Sequence, residues 1–302
     1  MDLRALRYFI ETVRQNSFTL AAARLCVTQS TVSKMIRQLE DEVGQPLLIR
    51  AGRQVQLTDV GRVIFARGQE ALELMQAMQR EVADLNDLAR GSLSVGMPPM
   101  VNLFFSPVVK AYCERYPGIR LTLLEGGGQR TEQQVASGEL EVGVTLLPAD
   151  PGLGLEHRSL GRFPLLVAGP AHAPWARAPQ VALADLRDTP LVLPTDEFSL
   201  THQLRSALTD AGVEARIAAQ SSQWDFLVAM ASAGLGTTLL PAPLLARLAP
   251  DANLAIRPLT APGLAWHVAL IWKRGHYLSH AARAWLALCA DILTPARMAE
   301  TP

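Results

Sequence analysis

Leu3, Leu6, Phe9, Ile10 and Val13 recur at helical spacing, so the pattern predicts an amphipathic helix over 2–15. Asn16-Ser17 breaks it, and an alanine-rich second helix is expected at about Thr19–Leu25. Thr28 then suits the N-cap of a third helix that runs to Val43 and is stopped by Gly44. Val32, Ile36, Leu39 and Val43 form its apolar stripe, while Gln29, Ser30, Thr31, Ser33, Lys34 and Arg37 occupy the face left over near its start. Two β-prone runs, PLLIR and QVQLT, flank AGR and predict a hairpin with Arg50 and Arg53 at its tip. From Thr58 to about Ala89 the pattern stays helical without a proline. Ile64, Gly68, Ala71, Met75, Met78, Val82, Leu85 and Ala89 alternate at spacings of four and three, a heptad seam flanked by acids and arginines. Such a narrow apolar line needs a cover, either the body of the same chain or a second copy of the arm.

Beyond residue 91 the pattern changes to β-rich runs alternating with helical ones. Strands are expected at about 92–96, 119–125, 140–146, 163–169, 190–193, 215–220, 236–240, 254–259 and 265–272. Helices are expected at about 101–115, 129–138, 199–211, 223–234 and 279–293. That alternation predicts an α/β architecture with largely parallel sheets.

A chain of 302 residues fits two or three domains, and its 49% hydrophobic and 19% charged residues are ordinary for a globular protein. The net charge is zero, but residues 1–58 carry eight Arg/Lys against five acids, a surplus of +3 that the remainder cancels. A basic head on a mildly acidic body suits local contact with nucleic-acid phosphates. No apolar stretch is long enough to span a bilayer, which argues against a membrane partner. "MDLRALRYFIETV" carries charges through its apolar positions, unlike a secretory leader, so a cytoplasmic location is expected. Cys26, Cys113 and Cys289 form no CxxC pair and read as reduced thiols.

Catalytic signatures are missing. Neither GxGxxG, GxSxG, HExxH nor a P-loop occurs, and no cofactor is implied. His276 and His280 have a spacing that could share a helix face, but no third metal ligand lies nearby, so they are expected to be solvated at a helix start. Catalytic and metal-binding residues are therefore expected to be none.

The opening segment, "LRYFIETVRQNSFTLAAARLCVTQSTVSKMIRQLEDEVGQPLLIRAGRQVQLTDVGR", resembles the N-terminal region of LysR-type transcriptional regulators over roughly 60 residues without a gap. The likeness continues more weakly through "LSVG", "LEVGV" and "AGLGTTLLP". It implies a winged helix-turn-helix, a long linker helix and a two-lobed α/β effector domain of the type 2 periplasmic-binding-protein kind. The corresponding boundaries are 1–58, 59–90 and 91–302, with lobe I taking 91–161 plus 267–302 and lobe II 162–266. Double-stranded DNA would be read by Gln29, Ser30, Thr31, Ser33, Lys34 and Arg37 from a helix capped by Thr28, with Arg50 and Arg53 of the wing on the backbone. Ala71, Met75, Met78, Val82 and Leu85 would form the homodimer seam, and two dimers a homotetramer. Contact with RNA polymerase is implied by the family alone.

Carried over from the family, a small-molecule effector would sit between the lobes at Pro98, Pro99, Met100, Gly128, Thr145, Leu146, Thr195, Ser222 and Thr237. The chain departs from the family pattern in having MPPM where a Ser or Thr is frequent and Gly128 where a hydroxyl is common. Leu146 stands where some aromatic-acid sensors have arginine, which argues against an aromatic dicarboxylate held there. Basic residues in these loops are chiefly Arg130 and His202, and "SSQWDFLVAM" is similar to members thought to answer to short organic acids. Trp224 reads equally as a packing residue or a ligand platform. Peroxide sensors of the family would want two cysteines within 162–266, where there are none. Two other classes remain to be weighed: a free solute-binding protein, opposed by the N-terminal head, and a DNA-processing enzyme, for which no acidic metal cluster is visible.

Overall fold

Side-chain caps fix the opening helices. α1 (Leu3–Gln15) begins where Asp2 accepts the Arg4 amide and ends at Asn16, whose φ of 46° lies in the left-handed region. Ser17 caps α2 (Phe18–Arg24); Thr28 caps α3 (Gln29–Val43), which Gly44 terminates at φ 76°. The computed structural model describes residues 1–51, 54–84, 91–249, 251–261 and 263–293. Leu6, Phe9, Ile10, Val32, Ile36 and Leu39 are almost wholly buried and form the shared interior of the three helices. The expected stripe of α3 is therefore its packed side.

β1 (Leu48–Ala51) and β2 (Gln54–Leu57) pair antiparallel as the expected hairpin. Two polar side chains anchor it. Glu40 Oε1 accepts the amides of Leu47 and Leu48 at 2.8 and 3.2 Å, and Asn16 Oδ1 accepts the Val55 amide at 2.8 Å. The residue that ends α1 thus also fixes the angle of the wing.

α4 (Asp59–Asp84) opens where Thr58 Oγ1 accepts the Gly61 amide. Its expected seam is divided. A Cβ on Gly68 would lie 2.6 Å from Leu6 Cδ1, and Ile64, Phe65 and Leu72 pack on the core of the head. Phe65 also meets Phe9 edge-on, with ring centroids 6.5 Å apart. The start of the seam is consequently spent inside the chain, because a glycine at position 68 lets α4 approach α1 closely. Farther along, Ala71, Met78 and Val82 face outward and Met75 is half-buried. Leu74, 72% exposed, joins that outward strip although the heptad pattern did not place it there. Leu85 and Ala89 lie outside the described residues. Met1–Val82 form one compact unit and Ala83–Pro302 a second.

In the second unit the elements follow in the order β3 (Gly91–Met97), α5 (Asn102–Arg115), β4 (Ile119–Glu125), α6 (Gly128–Ala136), β5 (Val142–Leu146), β6 (Leu155–Phe163) and β7 (Leu165–Pro170). β8 (Val181–Ala182), β9 (Leu191–Pro194), α7 (Ser199–Asp210), β10 (Ile217–Ser221), α8 (Trp224–Ser232) and β11 (Thr238–Pro241) come next. The unit closes with α9 (Ala242–Leu245), β12 (Leu254–Thr260), β13 (Trp266–Lys273) and α10 (His280–Ile292). Two sheets carry it: a five-stranded one ordered β4-β3-β5-β13-β6 and a four-stranded one ordered β11-β7-β12-β8, beside which β9 and β10 pair. The chain leaves the first sheet after Phe163 and returns to it at Trp266.

The expectation of largely parallel sheets needs correction. β3–β4, β3–β5, β8–β12 and β9–β10 are parallel, but β5–β13, β6–β13, β7–β11 and β7–β12 are antiparallel. The crossing segments cause this: β6 leaves the first sheet and β13 comes back beside it in the opposite direction. β6, β8 and α9 had no counterpart in the sequence pattern except where β6 reaches Phe163.

Candidate functional sites

On α3 the side opposite the packed stripe is open. Thr28, Gln29, Ser30, Thr31, Lys34 and Arg37 are exposed and Ser33 half-buried. These residues divide into two groups. Thr28 Oγ1 lies 2.9 Å from Ser30 Oγ and 2.8 Å from Thr31 Oγ1 and accepts the Thr31 amide, so this hydroxyl cluster is engaged in capping the start of the helix. Gln29, Lys34 and Arg37 have no hydrogen-bond or ion-pair partner among the described residues. A helix start with free N–H groups, long donors and a solvated face is fit to meet phosphates and base edges. Arg53 lies outside the described residues, as does the side chain of Arg50.

Between the two lobes, the N-termini of α6 and α7 meet. A Cβ on Gly127 would fall 2.2 Å from the Glu197 carbonyl oxygen, and one on Gly128 would fall 2.7 Å from Thr145 Oγ1 and 3.2 Å from Ser199 Oγ. Only glycine allows this approach. Gly128, Thr145 and Leu146 are therefore brought together, with Ser199 as a neighbour that its distance of over fifty residues had hidden. Arg130 and His202 stand exposed in the first turns of the two helices. Thr145 donates its hydroxyl to Glu132 Oε1 at 2.5 Å, and Glu132 Oε2 accepts the Asp150 amide. Pro98 and Met100 are buried and Pro99 half-buried after β3, where Asn102 donates to Glu125 at 2.6 Å. Thr195 bonds Glu197, and Ser222 is half-buried. Thr237 stands apart: it is fully buried and its hydroxyl lies against Gly169, inside the second lobe's own packing. Asp196 is paired with Arg205 at 2.9 Å, so it leaves little free negative charge at the opening.

A cavity of about 870 Å³ lies next to this region, between β6 and β13 on one side and α7 on the other. Leu147, Pro148, Asp150, His157, Arg162, Gln203, Asp210 and His267 are in its walls, and none of the nine residues expected to hold an effector is.

Residues 3–62 match the family model described as bacterial regulatory helix-turn-helix protein, lysR family, and residues 86–294 match that of the LysR substrate binding domain. The chain is 37% identical over 287 residues to the uncharacterized HTH-type transcriptional regulator YwbI of Bacillus subtilis, covering 95% of each. It is 32% identical to the HTH-type transcriptional regulator IlvR of Caulobacter vibrioides, over 88% of this chain and 92% of that one. Among solved structures, a full-length OxyR variant from Pseudomonas aeruginosa is similar with a TM-score of 0.65 and 26% identity, covering 97% of this chain and 94% of that one. No helix among the described residues is long and apolar enough to cross a membrane.

Proposed function

Since the chain belongs to the LysR family of transcriptional regulators, we propose that it reads a pseudo-palindromic operator as a dimer or tetramer and changes DNA bending when a small effector closes its two lobes. It is a DNA-binding regulator with an effector-binding domain, and it is not an enzyme. The proposal assigns 1–58 to DNA recognition, 59–90 to pairing of the arms and 91–302 to effector binding, with work in the cytoplasm and contact with RNA polymerase. Its main support is the outward face of α3, where Gln29, Lys34 and Arg37 have no partner among the described residues. Two recognition helices are needed because one reads too few base pairs to be selective.

The effector fits the description of a small organic acid. Two helix N-termini converge at Gly128 and Ser199, with Arg130 and His202 beside them, so backbone N–H groups and the helix dipoles favour one carboxylate. A ligand of this kind acts only through its differential affinity for one lobe arrangement. Gel shifts against the chain's own upstream DNA test the core of the proposal. Gln29→Ala should cost about 1–3 kcal/mol on the operator and blur discrimination between operators. Lys34→Ala should weaken binding to all duplexes alike and reduce the salt slope by about one. Equal behaviour of the two variants, or no DNA binding by the parent, would overturn it.

A further inference from the structure

Two charges that local structure does not explain face the 870 Å³ cavity. Arg162 on β6 sits directly opposite His267 on β13 in the strand register, a cross-strand pair of two basic side chains, which a sheet disfavours. Its guanidinium gives one N–H to the Gly263 carbonyl at 3.3 Å and meets no carboxylate among the described residues. Burial, with Arg162 and His157 close by, pulls His267 below its ordinary value, and its Nε2 lies 2.9 Å from Ser159 Oγ. On the other wall Asp210 is the last residue of α7, where a carboxylate opposes the helix dipole. Asp210 likewise has no cationic partner among the described residues. The other arginine of the pocket, Arg274, lies 3.9 Å from Glu156 Oε1.

From this pairing of an unmatched cation and an unmatched anion across one cavity, we infer that the pocket is a second ligand site, which takes a small zwitterion of the amino-acid type. The carboxylate is received by the planar fork of Arg162, whose geometry suits it. The ammonium lies toward Asp210. Gln203 and Ser206 on α7 supply neutral hydrogen-bonding groups between them. A lone carboxylate would leave Asp210 unmatched, and a lone amine would leave Arg162 so. The volume lies within the range of about 300–1,000 Å³ usual for small-molecule sites. Position gives the site a role. One wall is built from the strands on which the chain passes between the lobes and the other from a helix of the second lobe, so occupancy biases the lobe arrangement independently of the cleft at Gly128.

Calorimetry on the full chain decides this, using the standard amino acids as probes alongside propionate and propylamine. At least one amino acid with an uncharged side chain should bind, with propionate and propylamine roughly tenfold weaker or worse. Arg162→Gln and Asp210→Asn, both at exposed positions, should each weaken that binding by roughly tenfold or more. Arg130→Gln, an exposed change at the cleft outside the walls of this pocket, should leave it unchanged, so failure here and failure of the cleft assignment are separable. Absence of binding by every amino acid overturns the inference. So does propionate binding as tightly as alanine with Asp210→Asn silent, or binding that survives both pocket variants.

Discussion

His267 is a basic side chain placed where its charge is unwelcome. Burial is the main cause, and Arg162 and His157 add to it, so the fold favours the neutral imidazole. As pH falls below the ordinary value of 6.5, the unfolded chain takes up this proton first, and stability is lost through the window between 6.5 and the lower folded value. Stability from this group is complete above that window. His267→Gln keeps a partner for Ser159 and should flatten the loss of stability as pH falls below 6.5, as followed by urea denaturation at a series of pH values. At this scale the sequence was uneven as a guide. The outward residues of α3 were legible because helical periodicity separates them from Val32, Ile36 and Leu39 within a few turns. Arg162, Asp210 and His267 were not, since only the strand crossing and the placement of α7 bring them to one cavity. Cys289 was read with the other two cysteines as a reduced thiol; it is buried, and that burial pushes it far above the usual cysteine range.

Elements announced themselves where their ends carry chemistry. Asp2, Ser17, Thr28, Thr58 and Ser279 each accept an amide at the start of a helix, and the expected boundaries fall within about two residues of these caps. Thr28→Ala should therefore cost the head about 1 kcal/mol and speed amide exchange at Thr31, measurable by hydrogen–deuterium exchange. Operator affinity should fall with it, since the same cap orders the start of α3. Strands were harder. β6, with Glu156, His157, Arg158 and Arg162 along it, has a polar exposed face and so lacks the apolar run that marks a central strand. β8 has two residues and no pattern of its own. Strand direction was misjudged because βα alternation reports local succession, whereas the β6–β13 pairing joins residues about a hundred apart in the chain.

For the molecule as a whole, the outward strip of α4 carries the prediction. Leu74, Met78 and Val82 are each at least half exposed, an apolar line that a lone chain would leave in water. A double substitution, Met78→Asp with Val82→Asp, should shift the sedimentation velocity of the protein toward that of a single chain and weaken operator binding at least tenfold, because two heads no longer bind as one. A pair of substitutions at the inward positions Ile64 and Leu72 should instead destabilise the head itself. The heptad pattern is one unbroken apolar line in the sequence, yet its first positions, Ile64 and Gly68, pack on the chain's own head, since periodicity cannot say which of two surfaces, its own head or another chain, an apolar residue will meet.

The contact between Gly68 and Leu6 reaches further than packing. Because α1 and the first half of α4 pack together there, a turn of that half of the helix carries α1 with it, and with α1 the helix α3 that shares its core. The recognition surface is thus mounted like the bit on a rigid shank. A bulkier side chain at position 68 would loosen that mounting, and the bit would turn without the shank.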